Sequence, residues 1–324
     1  MTNHWIDLKN SDAILAIGCN PAENHPISFK WIEESLDNGG KLIAVDPRFT
    51  RTASKADIYA QIRPGTDIAF LGGLINYALS HNLIHQEYVR EYTNATFIVN
   101  DKFDFEQGMF CGFDDTEKSY DLKMLAYELD EAGNPKQDRS MQHPRSVFQL
   151  MRKHFSRYDV DTVCAITGTN KEGYLKVANT FCSTGRADKA GTILYAMGIT
   201  QSTHGTQNVR AISMLQMLLG NIGIAGGGIN ALRGESNVQG STDYGLLFHI
   251  LPGYLKSPEF DNVDLKTYLE KWTPKTKDKK SANWWGNTPK YTVSLLKAGT
   301  VTTPPRTMTS ATAISPSGAA TTPT

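Results

Sequence analysis

AILAIGCNPAENHPISFKWIEESLDNGGKLIAV, residues 13–45, decides the fold. Its opening AILAIG is a short apolar run of the kind that forms a strand buried on both faces of a parallel sheet. Cys19-Asn20-Pro21 then turns the chain. Ile27, Trp31, Ile32 and Leu36 recur near helical spacing, and Asn38-Gly39-Gly40 stops that helix. KLIAV, residues 41–45, is a second strand. Together they make one β-α-β unit, whose loops at the carboxyl ends of the strands face a ligand.

The same logic recurs on both sides of this unit. Asp46-Pro47-Arg48 follows the second strand directly, where a mononucleotide-binding fold commonly places an acidic residue for a sugar or base. Residues 58–62 are a third apolar run, followed by Arg63-Pro64-Gly65-Thr66-Asp67 and a helix over about 68–80. Thr66 or Asp67 can cap that helix, and its exposed N–H groups can meet an anion; the alternative for Asp67 is a helix cap only. Residues 191–196 are another strand, ending in Met197-Gly198-Ile199-Thr200-Gln201, and Thr203 or Gly205 caps a helix over 206–219. Apolar residues at three- and four-residue spacing predict helices over 146–155 and 170–181. Residues 94–143, polar, aromatic and rich in Gly and Asp, read as an insertion with hairpin or loop character.

The last of these helices delivers the chain into IGIAGGGINALRGESNVQG, residues 222–240. Gly226, Gly227 and Gly228 lack the Cβ that would block positive φ or close approach of a ligand. Arg233 follows, a planar and permanently charged fork suited to a carboxylate or phosphate, with Asn230, Glu235, Asn237 and Gln239 around it. The alternative is a helix end, an ordinary loop and a solvated arginine.

With 324 residues and 40% hydrophobic content, the chain has enough apolar material for a sizeable core. Lys plus Arg and Asp plus Glu are both 33, so no global charge argues for nucleic acid or an anionic membrane. Cys19, Cys111, Cys164 and Cys182 are widely spaced without C-x-x-C, which gives neither a zinc site nor an iron-sulfur cluster. No apolar run approaches the roughly 20 residues of a membrane helix. His204, His249 and the pair Trp284-Trp285 are expected to be packing residues. Residues 299–324 change abruptly to nine Thr and four Pro, with Arg306 the only charged side chain, a composition that cannot offset its ordering entropy.

INALRGESNVQG, with IGCNPAENHP and DPRFTRTASKAD, resembles the catalytic subunit of molybdenum- or tungsten-dependent formate dehydrogenases, selenocysteine type, within the molybdopterin oxidoreductases. The likeness runs over residues 1–298 with the motifs in the family's order. It implies an α/β fold: a Rossmann-like parallel sheet with flanking helices over 1–235, the start of a second α/β domain over 236–298, and a low-complexity tail over 299–324. It implies a metal held by two molybdopterin guanine dinucleotides, with a 4Fe-4S cluster in the intact subunit. By motif, Arg233 is the arginine that holds formate. Asn20, Glu23, Asp46, Arg48, Gly65, Thr66 and Asp67 match positions around one guanine dinucleotide; Met197, Gly198, Gln201, Gly234 and Glu235 match those around the other pterin. Relatives often place Gln or His where this chain has Glu235.

The family's metal-binding selenocysteine or cysteine and its histidine match no residue here, so Met1 reads as an internal residue, consistent with a selenocysteine codon read as a stop. The tail reads as a shifted frame near Ala298. The resemblance implies an inactive piece of an enzyme that oxidises formate in the periplasm and passes electrons to an iron-sulfur subunit, with a cytochrome subunit as a further partner. Another molybdopterin oxidoreductase, acting on nitrate or a sulfur compound, and a non-catalytic nucleotide-binding fragment are the alternatives.

Overall fold

The computed structural model describes residues 1–106, 109–121, 126–234, 237–247, 249–273 and 288–301. The chain divides into two compact units, Met1–Leu232 and Arg233–Thr324.

Five strands organise the first unit: β1 (Ala13–Ile17), β2 (Lys41–Val45), β3 (Ile58–Ala60), β4 (Gly191–Tyr195) and β5 (Ile229–Ala231). They form one parallel sheet in the order β3-β2-β1-β4-β5, with Ala13 beside both Lys41 and Gly191. Every residue of β1 is buried, which the unbroken run AILAI requires of a strand covered on both faces. Its side chains alternate: Ala13, Leu15 and Ile17 enter one apolar cluster, Ile14 and Ala16 the other. Burying each such branched side chain is worth about 1.5–3 kcal/mol, so the two clusters dominate the folding free energy.

The first cluster lies under α2 (Asp67–Ser80), α3 (Lys171–Cys182) and α4 (Gly205–Leu219). Helix α2 is apolar on all sides because it is covered on all sides, with Phe70, Leu71, Leu74 and Ile75 fully buried. The second cluster lies under α1 (Pro26–Asp37) and the short helical turn Trp5–Asn10, through Leu8, Phe29 and Ile32. Helix Val147–Phe155 is capped by Ser146 and α3 by Asn170, whose side-chain oxygens accept from Gln149 at 3.3 Å and Gly173 at 2.6 Å. Val160–Thr167, capped by Asp159, is a further helix that periodicity did not reveal. Helix α4 has no side-chain cap at all: His204 occupies the cap position, in place of the expected Thr203 or Gly205.

A buried amide network ties the amino ends of β4 and β5 to the end of α4. Asn221 accepts from Gly191 N–H at 3.0 Å and donates to Thr184 at 2.9 Å and Gln216 at 3.0 Å. Gln216 donates in turn to the carbonyls of Gly191 and Gly228. Each buried polar group in this chain of contacts has a partner, the condition under which such groups are tolerated.

Residues 94–143 carry hairpin and bridge pairings, including Phe97 with Gln137 and Val99 with Tyr127, as the composition suggested. In the second unit the described residues form the helices Val238–Asp243, Leu265–Trp272 and Thr288–Val301 and an antiparallel ribbon pairing Ile250–Leu251 with Leu255–Lys256. The last helix passes through Ala298 without a break. Trp284-Trp285 and residues 302–324 lie outside the described residues.

Candidate functional site

In this strand order the chain leaves β1 in one direction to build β2 and β3 and in the other to build β4 and β5. The switch point therefore lies between β1 and β4, and the crevice outside their carboxyl ends is where such sheets bind ligands. The loops after β1 and β4 meet there backbone to backbone: Gly198 N–H donates to the Gly18 carbonyl at 3.1 Å. A Cβ on Gly198 would come within 2.6 Å of that oxygen, so only glycine permits the approach.

Ten of the residues expected from the sequence stand on this carboxyl edge of the first unit. Asn20, half-buried after β1, is a tie between loops. Its Nδ2 donates to Glu23 at 2.7 Å, and its Oδ1 accepts from the Thr52 hydroxyl at 2.8 Å. Glu23 also holds Arg51 at 3.3 Å. Asp46 follows β2, half-buried, and accepts from Arg48 N–H at 2.9 Å, a local turn that leaves Arg48 exposed. Gly65, with φ +80, is exposed and has nothing within 4 Å of where a Cβ would stand. Thr66 sits at the cap position of α2 without capping it; its hydroxyl donates to the Arg63 carbonyl at 2.7 Å. No side-chain oxygen therefore caps α2 from the Thr66 position.

Asp67 opens α2 and is only 5% exposed. Burial pushes its carboxyl up, its own N–H opposes that, and the nearby Asp46 charge adds to it. Burial and Asp46 also push up the Cys19 thiol and the Tyr59 phenol. Asp46 is thus the negative charge felt by three buried or half-buried groups along this edge.

After β4, Met197, Gly198 and Gln201 lie in and just beyond the short helix Met197–Thr200, all three exposed. Asn208 of α4, which the sequence reading missed, holds this turn by donating to the Ile199 carbonyl at 3.0 Å. Thr52, also missed, is fully buried and accepts from Ala22 N–H at 3.1 Å while bonding Asn20. Neither residue type distinguishes a loop tie from a surface side chain in sequence, so no signal marked them.

Arg233 and Gly234 begin the second unit and are exposed; Glu235 lies outside the described residues. The Arg233 charge reaches Tyr254, whose phenol is pushed up chiefly by its hydrogen bond to Asp243 and drawn back by Arg233. The glycines before Arg233 serve packing, contrary to the reading from composition. Gly226, Gly227 and Gly228 are buried at the amino edge, and a Cβ on Gly226 would meet the Asn10 carbonyl at 2.2 Å. Asn230 is fully buried as well, donating to Thr192 at 2.7 Å. His204 and His249 are exposed. Among the described residues no three His, Cys, Asp or Glu side chains cluster to hold a metal ion, and no helix is long and apolar enough to cross a membrane.

A doubly wound parallel sheet with polar loops at its switch point defines a Rossmann-like α/β domain. The chain belongs to the molybdopterin oxidoreductase family, whose sequence profile matches residues 1–108 and 140–303. The unmatched stretch, 109–139, falls within the insertion. The chain is 58% identical over 298 residues to the formate dehydrogenase subunit alpha of Megalodesulfovibrio gigas, covering 92% of this chain and 29% of that one. It is 52% identical over 297 residues to the formate dehydrogenase 2 subunit alpha (cytochrome c-553) of Nitratidesulfovibrio vulgaris, with 92% and 29% covered. It is also 52% identical over 299 residues to the nitrate-inducible formate dehydrogenase major subunit of Escherichia coli, with 92% and 30% covered. The chain therefore spans about three-tenths of the length of these relatives.

Proposed function

We propose that this chain is the part of a formate dehydrogenase catalytic subunit that cradles molybdopterin guanine dinucleotide and presents an arginine to formate. What carries the reading is the run of donors and acceptors along one sheet edge, Asn20, Asp46, Gly65 and Asp67, in a chain 58% identical to a formate dehydrogenase alpha subunit.

The residues fit such a group. Asp46 and Asp67 supply acceptors for the N–H groups of guanine or the hydroxyls of ribose. The uncapped start of α2, with open space over Gly65, and the exposed Arg48 suit an anionic diphosphate. Met197, Gly198 and Gln201 border the second pterin in this reading, and Gly234 and Glu235 match positions around that pterin by motif alone. When bound, the two dithiolenes and their molybdenum or tungsten supply the two-electron redox chemistry. Arg233 holds the formate carboxylate with two parallel charge-assisted hydrogen bonds and so fixes the direction of its C–H bond, which Lys at this position would not do. The metal's protein ligand and the 4Fe-4S cluster have no counterpart among this chain's cysteines, so oxidation of formate belongs to the assembled subunit. Its partners in this reading are an iron-sulfur electron-transfer subunit and a cytochrome, and its compartment is the periplasm.

Titration of the purified chain with guanosine diphosphate tests the cradle. Asp46→Ala is expected to weaken binding about tenfold, the loss of one charge-assisted hydrogen bond, and adenosine diphosphate to bind more weakly than the guanine nucleotide. Equal binding of the two nucleotides, or an unchanged affinity in Asp46→Ala, would sink the assignment.

A further inference from the structure

Along α1 the first unit carries a second concavity that the cofactor reading does not use. Pro26, Phe29, Lys30 and Glu33 form one helical stripe. Across a cavity of about 420 Å³ they face Arg51, Ser54 and Lys55 from the loop between β2 and β3, with Ala22 at the end nearer the carboxyl edge. Three cations and one carboxylate line it, in a chain whose formal net charge is zero. Local partners reduce that excess without cancelling it. Glu23 takes Arg51 Nε at 3.3 Å, and the Lys30 ammonium lies 4.5 Å over the Trp31 ring, a contact that keeps its charge. Neither the Lys55 ammonium nor the Glu33 carboxylate has a hydrogen bond or ion pair among the described residues. The apolar part of the lining is Ala22, Pro26 and the buried ring of Phe29.

We propose that this pocket docks an acidic polypeptide segment, setting a carboxylate among Lys55, Arg51 and Lys30 and an apolar side chain on the apolar lining. Charge complementarity selects the carboxylate. The apolar lining selects a peptide over a bare inorganic anion, which would leave the apolar surface wet. The inference is independent of the formate reading, because Lys30 and Lys55 belong to none of the cofactor positions.

The probe is a fluorescein-labelled hexapeptide of alternating glutamate and leucine, followed by anisotropy on the whole chain, with the lysine–leucine peptide as control. The acidic peptide alone is expected to bind, more weakly as ionic strength rises. Lys55→Glu is expected to cost about tenfold and Lys30→Gln about threefold, while Lys153→Glu, an exposed charge on another helix, leaves binding unchanged. Both pocket variants keep the urea denaturation midpoint of the parent chain, which separates a lost pocket from a lost fold. Equal weakening by Lys153→Glu, absence of acidic-peptide binding, or complete competition by inorganic phosphate overturns the proposal, the last by making the site one for a small anion.

Discussion

At the amino edge of the sheet, the Gly226 N–H donates to Asp7 at 2.9 Å and its carbonyl accepts from Ser11 at 2.6 Å. Three residues on, Thr2 reaches Ile229 at 3.1 Å through its N–H, and its hydroxyl accepts from Ile229 at 2.9 Å. The carboxyl edge is different. Gly18 and Gly198 meet, but Gly65 faces open space, Asp67 has only its own N–H, and the helix behind it is uncapped. Glycine is dense at both edges and for opposite reasons. At the amino edge the polar groups close on distant parts of the protein, while at the carboxyl edge they close on neighbouring loops and leave Gly65 and Arg48 exposed. A count of glycines therefore reports close backbone approach, and only the remaining hydrogen-bonding capacity reports a ligand.

Substitution separates the two edges. Gly226→Ala has the largest expected effect, because φ is +75 and the new Cβ would meet the Asn10 carbonyl at 2.2 Å, backbone that cannot step aside. Left-handed strain and the clash together cost about 3 kcal/mol. A urea denaturation midpoint should fall accordingly, with nucleotide affinity of the folded fraction unchanged. Lost affinity without lost stability would put the glycine triplet back at the ligand.

Gly198→Ala comes next. Its Cβ would press on the Gly18 carbonyl at 2.6 Å, forcing the loops after β1 and β4 apart at the switch point. About 1–2 kcal/mol of stability should go with it, but the distinguishing readout is a roughly tenfold loss of guanosine diphosphate affinity as the preorganised crevice opens. A stability loss with full affinity would mean that the contact is packing alone, like that of Gly226.

These contrasts explain what could be read without the structure. The sheet was legible because AILAIG and KLIAV each satisfy burial on both faces with no help from distant sequence. Asp46 was legible by its place after β2. Thr66 was ambiguous because a threonine before a helix is usually a cap, and only the competing Arg63 carbonyl decides otherwise. Gly226 misled because its partner, Asn10, stands more than two hundred residues away in sequence. Thr52 and Asn208 stayed invisible for the same reason: a side chain that ties two loops has no local pattern.

The smallest expected effect is the most discriminating, because it has a sign. The native carboxyl of Asp67 is raised above its unfolded value by burial and by Asp46. Between an unfolded value of about 3.9 and the raised native one, the folded chain binds more protons than the unfolded chain, so stability falls as pH rises through that window. Asp67→Asn removes the penalty. At pH 7 it should be more stable than the parent chain, with the difference closing as pH falls toward about 4, where the parent is protonated too. The same variant should bind guanosine diphosphate less tightly, since an amide offers one acceptor where the carboxylate offered two. Gaining stability while losing affinity is the signature of a charge kept buried for a ligand. A variant that loses stability at pH 7 would instead make Asp67 part of the scaffold, and the two edges of the sheet would then differ less than their geometry says.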